Sequence, residues 1–171
     1  RSAGAAVCFA LLLHDAGKAL TPAERLPSHP GHENAGLPLV ERCCERLRVP
    51  VAFRELALLA TRFHTHVHRA QELRATTVLE LFEHADAFRR PERFAQLLET
   101  CECDARGRAG LEARDYPQRA LLEQMLAAAT AAQLTDAERE RLRGPAYGEA
   151  LRRRRLDAIA ALRPSRPDPP T

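Results

Sequence analysis

This sequence has no tryptophan, few other aromatic residues and no period-two alternation of apolar and polar residues. The lack of alternation gives no indication of half-buried strands. Leucine, alanine, arginine and glutamate dominate instead, and these residues favour helices. The formal net charge of +3 is modest, so the whole-chain charge does not by itself indicate nucleic-acid binding. We predict an all-α fold.

A long hydrophobic run is also missing. The apolar segment 3–13 is well short of the roughly 20 residues that a membrane helix needs, and no small-residue cleavage site follows it. The five cysteines are an odd number without a regular disulfide framework, which indicates reduced thiols. We therefore expect a cytoplasmic protein without a membrane partner.

Helical periodicity and proline or glycine breaks divide the chain into segments. We predict helices over 37–47, 51–68, 76–89 and 91–105, followed after Gly107 by a second group that includes a helix start at Thr135 and a helix over 147–162. This gives a core of residues 1–106, a smaller helical extension of residues 107–163 and a disordered, proline-rich tail of residues 164–171. The chain enters an apolar helix almost at its first residue, so we expect a fragment of a longer protein.

The most informative stretch is Ala5–Lys18, in which an apolar run ends in His14 and Asp15. An imidazole and a carboxylate at the end of a core helix are costly to desolvate unless something compensates them. A divalent metal ion would do so, since both groups are good ligands. Adjacent helical residues point in different directions, so further ligands must come from other segments.

Three other residues suit such a site. His32 precedes an amphipathic helix, His64 follows an apolar helix face, and Asp86 lies among apolar residues. For the remaining histidines of the helices, His66, His68 and His84, an ordinary surface or core role is the favoured interpretation. His29 is equally consistent with a loop residue and with a substrate contact.

Together with their neighbours, these residues are similar to the motifs of a known protein family. The ordered set His14-Asp15-Ala16-Gly17-Lys18, Gly31-His32-Glu33, His64 and Ala85-Asp86-Ala87 resembles the HD-domain metal-dependent phosphohydrolases. Four longer segments are similar to the C-terminal HD domain of the bacterial multifunctional CCA proteins, which are tRNA nucleotidyltransferases. They are LLLHDAGKALTPAERLPSHPGHENAGLPLVERCCERLRVP, QELRATTVLELFEHADAFRRPERF, CECDARGRAGLE and YGEALRRRRLDAIA.

The resemblance implies an HD-domain helical bundle and a role for each matching residue. His14, Asp15 and Asp86 would bind the metal, His32 and His64 would bind a second metal or the substrate phosphate, and Lys18 would offset phosphate charge. The catalytic residues would thus be His14, Asp15 and Lys18. The implied activity is metal-dependent hydrolysis of 2′,3′-cyclic nucleotides, 2′-nucleotides and phosphomonoesters, with nickel, manganese, cobalt or magnesium as the cofactor.

Nucleic-acid contacts are a further implication. His29 is a candidate substrate contact, and Arg106 and Arg108 are candidates for binding RNA phosphates. The parent protein would add CCA to tRNA, an activity whose glycine-rich and paired-carboxylate motifs are not found in this sequence. Two departures stand out: the first histidine ligand of HD domains would lie upstream of Arg1, and Thr65 stands where close relatives carry an acidic residue.

Two other functions stay open. The chain would alternatively be a tRNA-contacting or assembly domain of the same enzyme with an inactive metal site, using Arg106, Arg108 and the run Arg152–Arg155. A solvated helix face explains that arginine run equally well. A regulatory HD protein acting on a signalling nucleotide is the last alternative, and the residues after Gly107 fit it less well.

Overall fold

A computed structural model describes residues 3–163, and this part of the chain is helical without strands, which confirms the all-α prediction. Two short 3-10 helices, Ala16–Leu20 and Ala23–Arg25, connect the first two α-helices. The α-helices are α1 (Ala5–Leu13), α2 (His32–Arg46), α3 (Val51–His68), α4 (Ala75–His84), α5 (Pro91–Arg106), α6 (Pro117–Ala131), α7 (Asp136–Arg141) and α8 (Pro145–Ala161). Within residues 3–163, none of these helices is both long and apolar enough to cross a membrane.

Several helices begin where the local chemistry favours it. Pro91, Pro117 and Pro145 open α5, α6 and α8 at the first helical position, where a missing N–H costs nothing. The predicted start at Thr135 is confirmed: its hydroxyl accepts a hydrogen bond from the Glu138 backbone N–H, and the Glu138 carboxylate accepts one from the Thr135 backbone N–H. This reciprocal cap satisfies two backbone donors of α7.

Two predicted boundaries were wrong. α2 begins at His32 rather than at residue 37, directly after Gly31 in the left-handed conformation, and it contains Pro38. Its polar first turn lacks the apolar periodicity that marked the rest of the helix. α4 ends at His84 rather than at residue 89, since the backbone of Asp86 has a positive φ of 54° and interrupts the helix.

α3 lies at the centre of the fold and packs against α1, α2, α5 and α6. Its buried residues recur at helical spacing: Leu56, Ala57, Ala60, Thr61, Phe63, His64 and Val67. The same apolar core includes Val7 and Ala10 of α1 and Leu97 and Leu98 of α5. His14 and His64 are therefore carried into the interior by helices whose other inward-facing residues are apolar.

A close backbone crossing connects the first 3-10 helix to α2. A Cβ atom on Gly17 would lie 2.0 Å from the His32 carbonyl oxygen, and one on Gly36 would lie 2.8 Å from the Thr61 methyl carbon. Only glycine allows the segments to approach this closely. The crossing holds the start of α2 beside Asp15.

The residues after Gly107 share the core of the first part. Tyr116, Leu122, Met125 and Ile159 are buried in the same apolar cluster as the residues of α1–α5. α8 packs on α6 and α4, and α6 also contacts α3 and α5. The division at residues 106 and 107 stays a prediction, and the tail predicted over 164–171 lies outside the described residues.

Candidate metal centre

Three buried or nearly buried histidines are each oriented by a hydrogen bond to a backbone carbonyl group. The Nδ1 atoms of His14, His32 and His64 each lie within hydrogen-bond distance of a backbone carbonyl, which can only accept. The acceptors are the carbonyl oxygens of Leu11 at 2.7 Å, His29 at 2.7 Å and Ala60 at 3.0 Å. Each Nδ1 must therefore carry the proton, and the neutral imidazole presents an Nε2 lone pair on its other side. Hydrogen bonding of this type orients metal-binding histidines.

These Nε2 atoms converge. His32 Nε2 lies 3.1 Å from His64 Nε2, and the two lie 3.3 Å and 3.5 Å from Asp15 Oδ1. His14 Nε2 lies 3.3 Å from Asp15 Oδ2. In the neutral form all of these atoms are acceptors, so they repel one another unless a proton or a cation lies between them.

The donor set passes a simple test for a divalent cation. One ligand atom each from His14, Asp15 and His64 lies within 4.8 Å of the others. His14 Nε2 and Asp15 Oδ1 are buried and have no hydrogen-bond partner of acceptable geometry among the described residues. Orphaned acceptors in the interior are costly, and mixed imidazole and carboxylate ligation would satisfy them. The residues present fit a divalent metal ion.

Asp15 is held in its ionised form. Its burial alone would raise the pKa, but the neighbouring His14, His64 and Lys18 side chains lower it more, so the pKa of Asp15 lies well below its usual range. Lys18 Nζ donates to Asp15 Oδ2 at 2.6 Å. Burial disfavours the charged form of His14, but the Asp15 and Asp104 carboxylates and the Leu11 carbonyl outweigh it and raise the pKa of His14.

The sequence analysis missed Asp104 and Tyr116, and it favoured an ordinary surface or core role for His68, which lies between them. Asp104 of α5 places Oδ1 3.5 Å from His14 Nε2 and Oδ2 3.0 Å from His68 Nε2. Tyr116 OH lies 2.9 Å from His68 Nδ1. His68 follows His64 by four residues on the same face of α3, a spacing that was available as a signal. Asp104 follows the buried Cys101 by one turn, within a quoted segment of the resemblance.

Asp86 is not brought to the cluster. Its carboxylate forms a bidentate pair with Arg89, at 2.7 Å and 3.0 Å, and lies 3.7 Å from Arg90. Arg89 first, with Arg90 and Arg93, lowers the pKa of Asp86. The expected placement of Asp86 beside His14 and Asp15 is thus corrected: the aspartate from a later helix that reaches His14 is Asp104. The left-handed backbone at Asp86 belongs to the turn after α4, which holds the side chain beside these arginines.

The remaining candidates have local partners. His29 shares a hydrogen bond of 2.9 Å between its Nδ1 and Thr21 Oγ1, and its carbonyl orients His32. Thr65 Oγ1 donates to Glu33 Oε1 at 2.9 Å. Arg106 pairs with Glu102 at 2.7 Å and donates to the Arg114 carbonyl at 3.0 Å, whereas Arg108 is exposed.

Three of the four consecutive arginines of α8 are engaged within the molecule. Arg152 pairs with Glu83 at 3.1 Å and Arg154 pairs with Glu138 at 3.1 Å. The Arg155 guanidinium lies 3.8 Å from the centre of the Phe88 ring, at cation–π distance. This part of α8 therefore contributes contacts to α4, α7 and the turn around Phe88.

Comparison with known proteins finds that the chain is similar to multifunctional CCA proteins of several bacteria. The chain is 52% identical over 160 residues to the multifunctional CCA protein of Halorhodospira halophila, covering 94% of this chain and 38% of that protein. The corresponding values are 52% over 159 residues for the protein of Xanthomonas euvesicatoria, with 93% and 39% coverage, and 48% over 157 residues for that of Pseudomonas fluorescens, with 92% and 38%. No family model matches the chain, and no solved structure gives a significant match.

Proposed function

This chain is homologous over nearly its whole length to multifunctional CCA proteins and spans about two-fifths of theirs, and from this premise we propose that it is the metal-dependent phosphohydrolase domain of a CCA-adding tRNA nucleotidyltransferase. Its substrates are 2′,3′-cyclic nucleotides, 2′-nucleotides and other phosphomonoesters, including those at RNA ends. The observation that carries the proposal is the convergence of three oriented imidazoles on Asp15, with the Asp104 carboxylate beside His14. Nucleotide addition belongs to other segments of the longer protein.

The metal ligands in this proposal are His14, Asp15 and Asp104, with His32 and His64 completing the site or binding a second ion. Nitrogen and oxygen donors without thiolates favour nickel, manganese, cobalt or magnesium over a structural zinc. When bound, such an ion lowers the pKa of water and offsets charge on the phosphoryl oxygens. The Asp104 carboxylate takes the role that the resemblance assigned to Asp86.

The chain's own residues supply the remaining chemistry. The Lys18 ammonium, 2.6 Å from Asp15 Oδ2, adds positive charge beside the cluster and stabilises negative charge that develops on the phosphate. His32 and His64 each hold a proton on Nδ1 and expose a basic Nε2. An Nε2 atom of this pair that does not bind an ion is able to accept the proton of an attacking water.

The test is metal-dependent phosphate release. Metal-stripped protein is assayed with 2′,3′-cyclic AMP and 2′-AMP before and after addition of Mn²⁺, Ni²⁺, Co²⁺ or Mg²⁺. The Asp15→Asn variant should lose activity at least 100-fold. Substitution of residues that merely orient a metal ligand lowers activity by about 10–100-fold, so the loss of a ligand itself should cost more. The matched control is Asp157→Asn, which changes an exposed carboxylate of α8 and should keep full activity.

The same assay is run on a version extended upstream, since the resemblance predicts a further histidine ligand on a preceding helix. Turnover that survives in Asp15→Asn, or that needs no metal, would contradict the proposal. Salt-sensitive tRNA binding without turnover in either version would instead support the tRNA-contacting alternative. Against that alternative stands the engagement of Arg152, Arg154 and Arg155 in contacts within the molecule.

A further inference from the structure

A cleft of about 230 Å³ opens directly beside the metal centre. Its inner wall contains His68 and Asp104, which belong to the cluster described above, and its outer wall contains Arg108 and Arg114. The remaining lining residues are Ala105, Leu111, Tyr116 and Gln118. The cleft therefore runs from the proposed hydrolytic site to a positively charged loop.

The inner wall presents fixed polar groups. Tyr116 OH lies 2.9 Å from His68 Nδ1, and the Gln118 amide nitrogen donates to the His68 carbonyl at 3.1 Å. The other atom of that amide, Gln118 Oε1, is buried and has no hydrogen-bond partner among the described residues. Gln118 therefore forms part of the cleft wall and holds the end of α3 through the His68 carbonyl.

The outer wall presents two guanidinium groups. Among residues 3–163, no carboxylate lies within ion-pair distance of Arg108 or Arg114, whereas many other arginines of the chain are paired. The loop that carries them is ordered by its own contacts: Arg106 donates to the Arg114 carbonyl, and the Arg108 carbonyl accepts from the Leu111 N–H at 2.9 Å. Arg106 thus stabilises the loop, and Arg108 and Arg114 are left for a ligand.

We propose that Arg108 and Arg114 bind a second phosphate, on the 5′ side of the nucleoside whose 2′ or 3′ phosphate lies at the metal centre. This inference rests on the proposed function. Asp104 lies in the wall of the cleft, and His14, Asp15 and Lys18 adjoin it through the contacts described above. These residues serve the phosphate that is hydrolysed. At the other end of the cleft, the unpaired guanidinium groups of Arg108 and Arg114 are able to form bidentate hydrogen bonds with a further phosphate group. The preferred ligand is then a nucleoside with phosphates on both sides of its sugar.

Such a ligand has two sources, the terminal nucleotide of an RNA and a free nucleoside bisphosphate. KM is therefore measured for three substrates: 2′-AMP, adenosine 2′,5′-bisphosphate and a dinucleotide that ends in a 2′-phosphate. Arg108→Gln and Arg114→Gln should each raise KM roughly tenfold or more for the last two substrates, as for the loss of a charge-assisted hydrogen bond. KM for 2′-AMP should not change. The control is Arg141→Gln, an exposed arginine of α7 away from the cleft.

A preference for the dinucleotide over the bisphosphate identifies an RNA end as the source, and the reverse identifies a free nucleotide. Equal effects on all three substrates would overturn the proposal, since the arginines would then contact the hydrolysed phosphate. No effect on any substrate would overturn it as well.

A binding measurement separates this inference from the hydrolase proposal. Fluorescence anisotropy of the labelled dinucleotide is followed with EDTA-treated protein over a range of salt concentrations. Loss of a phosphate contact should make binding less sensitive to salt, so that the slope of log K against log salt becomes shallower. If no substrate is hydrolysed and the slope still falls in both variants, the second-phosphate site stands and the hydrolase fails. An unchanged slope in both variants would overturn the second-phosphate site, whatever the turnover.

Discussion

The Asp104 carboxylate bridges two imidazoles, with one oxygen 3.5 Å from His14 Nε2 and the other 3.0 Å from His68 Nε2. The hydrogen bond with His68 is the largest of the effects that lower the pKa of Asp104. A carboxylate in this position is able to act either as a ligand or as the partner that orients a ligand. In both roles its charge favours a bound cation.

We predict that Asp104→Asn weakens Mn²⁺ or Ni²⁺ binding by about 10–100-fold or more, since the substitution removes a negative charge and an acceptor. Isothermal titration calorimetry of metal-stripped protein measures this change. The matched control is Asp86→Asn, which removes a carboxylate that pairs with Arg89. Equal weakening by both substitutions would contradict the assignment of Asp104 and would restore the role first predicted for Asp86.

At this scale the sequence predicts part of the cluster. His14 and Asp15 stand out because they end an apolar helix, and the structure brings His32 and His64 to them. Asp86 and Asp104 both follow apolar helical stripes, so periodicity alone does not distinguish them. The difference arises from the backbone of Asp86, whose positive φ depends on how the turn after α4 packs.

Among the elements, the crossing of the first 3-10 helix and α2 sets the position of His32. A Cβ atom at Gly17 would overlap the His32 carbonyl oxygen, which is backbone and cannot rotate away. The two segments would have to separate, and the start of α2 would move from Asp15. The site and the local stability therefore depend on the same glycine.

We predict that Gly17→Ala lowers the free energy of unfolding by about 1–3 kcal/mol, the usual cost of overpacking. Urea titration followed by far-UV circular dichroism measures it. Gly148→Ala is the control: Gly148 lies within α8 with open space around it, so alanine should stabilise the helix by about 0.5–1 kcal/mol. Equal stability of the Gly17→Ala variant and the unsubstituted protein would show that the crossing is not tight.

Glu138 connects α7 to α8, because its carboxylate accepts from the Thr135 backbone N–H at 2.8 Å and from Arg154 at 3.1 Å. The Thr135 backbone N–H, followed by Arg154 and the Thr135 hydroxyl, lowers the pKa of Glu138 to about 2. A carboxyl whose pKa is lower in the folded state stabilises the fold above its unfolded pKa of 4.5. This stabilisation is lost as the pH falls from 4.5 toward 2.

We predict that Glu138→Gln is less stable than the unsubstituted protein at pH 7 and that the difference shrinks as the pH falls through this window. Urea midpoints at pH 7, 4.5 and 2.5 measure it. Glu140→Gln, an exposed position on the same helix, should give a small difference without this pH dependence. A difference for Glu138→Gln that is constant with pH would exclude the carboxylate as its source.

On the scale of the whole molecule, one apolar core joins the two predicted parts. Ile159 of α8 and Met125 of α6 are buried in the same cluster as Phe82 of α4 and Leu97 of α5. Such sharing favours cooperative unfolding of residues 3–106 together with residues 107–163.

We predict that Ile159→Val lowers the stability of both parts equally, by about 0.5–1.5 kcal/mol, since it removes one buried methylene group. Hydrogen exchange followed by mass spectrometry reports each part separately. Loss of protection only after residue 106 would instead support two independent domains. A surface change such as Ala160→Ser, at an exposed position of α8, serves as the control.

The helical content and most helix positions follow from the sequence, because α3 and α5–α8 begin or end at prolines, glycines or a capping box. The packing of α8 on α4 could not be predicted from the sequence, because a pattern analysis assigns the arginine run of α8 to a solvent-exposed helix face. In the structure Arg152 and Arg155 contact Glu83 and Phe88 instead. Long side chains of this kind cover neighbouring helices in ways that binary patterns do not encode.

The hydrogen bond between Tyr116 and His68 makes the cluster in the first part of the chain depend on a residue of the later part. The Tyr116 hydroxyl, from beyond residue 107, orients the His68 imidazole that contacts Asp104, so the later segment takes part in setting the charge of the candidate metal centre. Replacing Tyr116 by phenylalanine, or exchanging the later segment for that of a distant relative, would leave the helices intact and retune the centre from outside it.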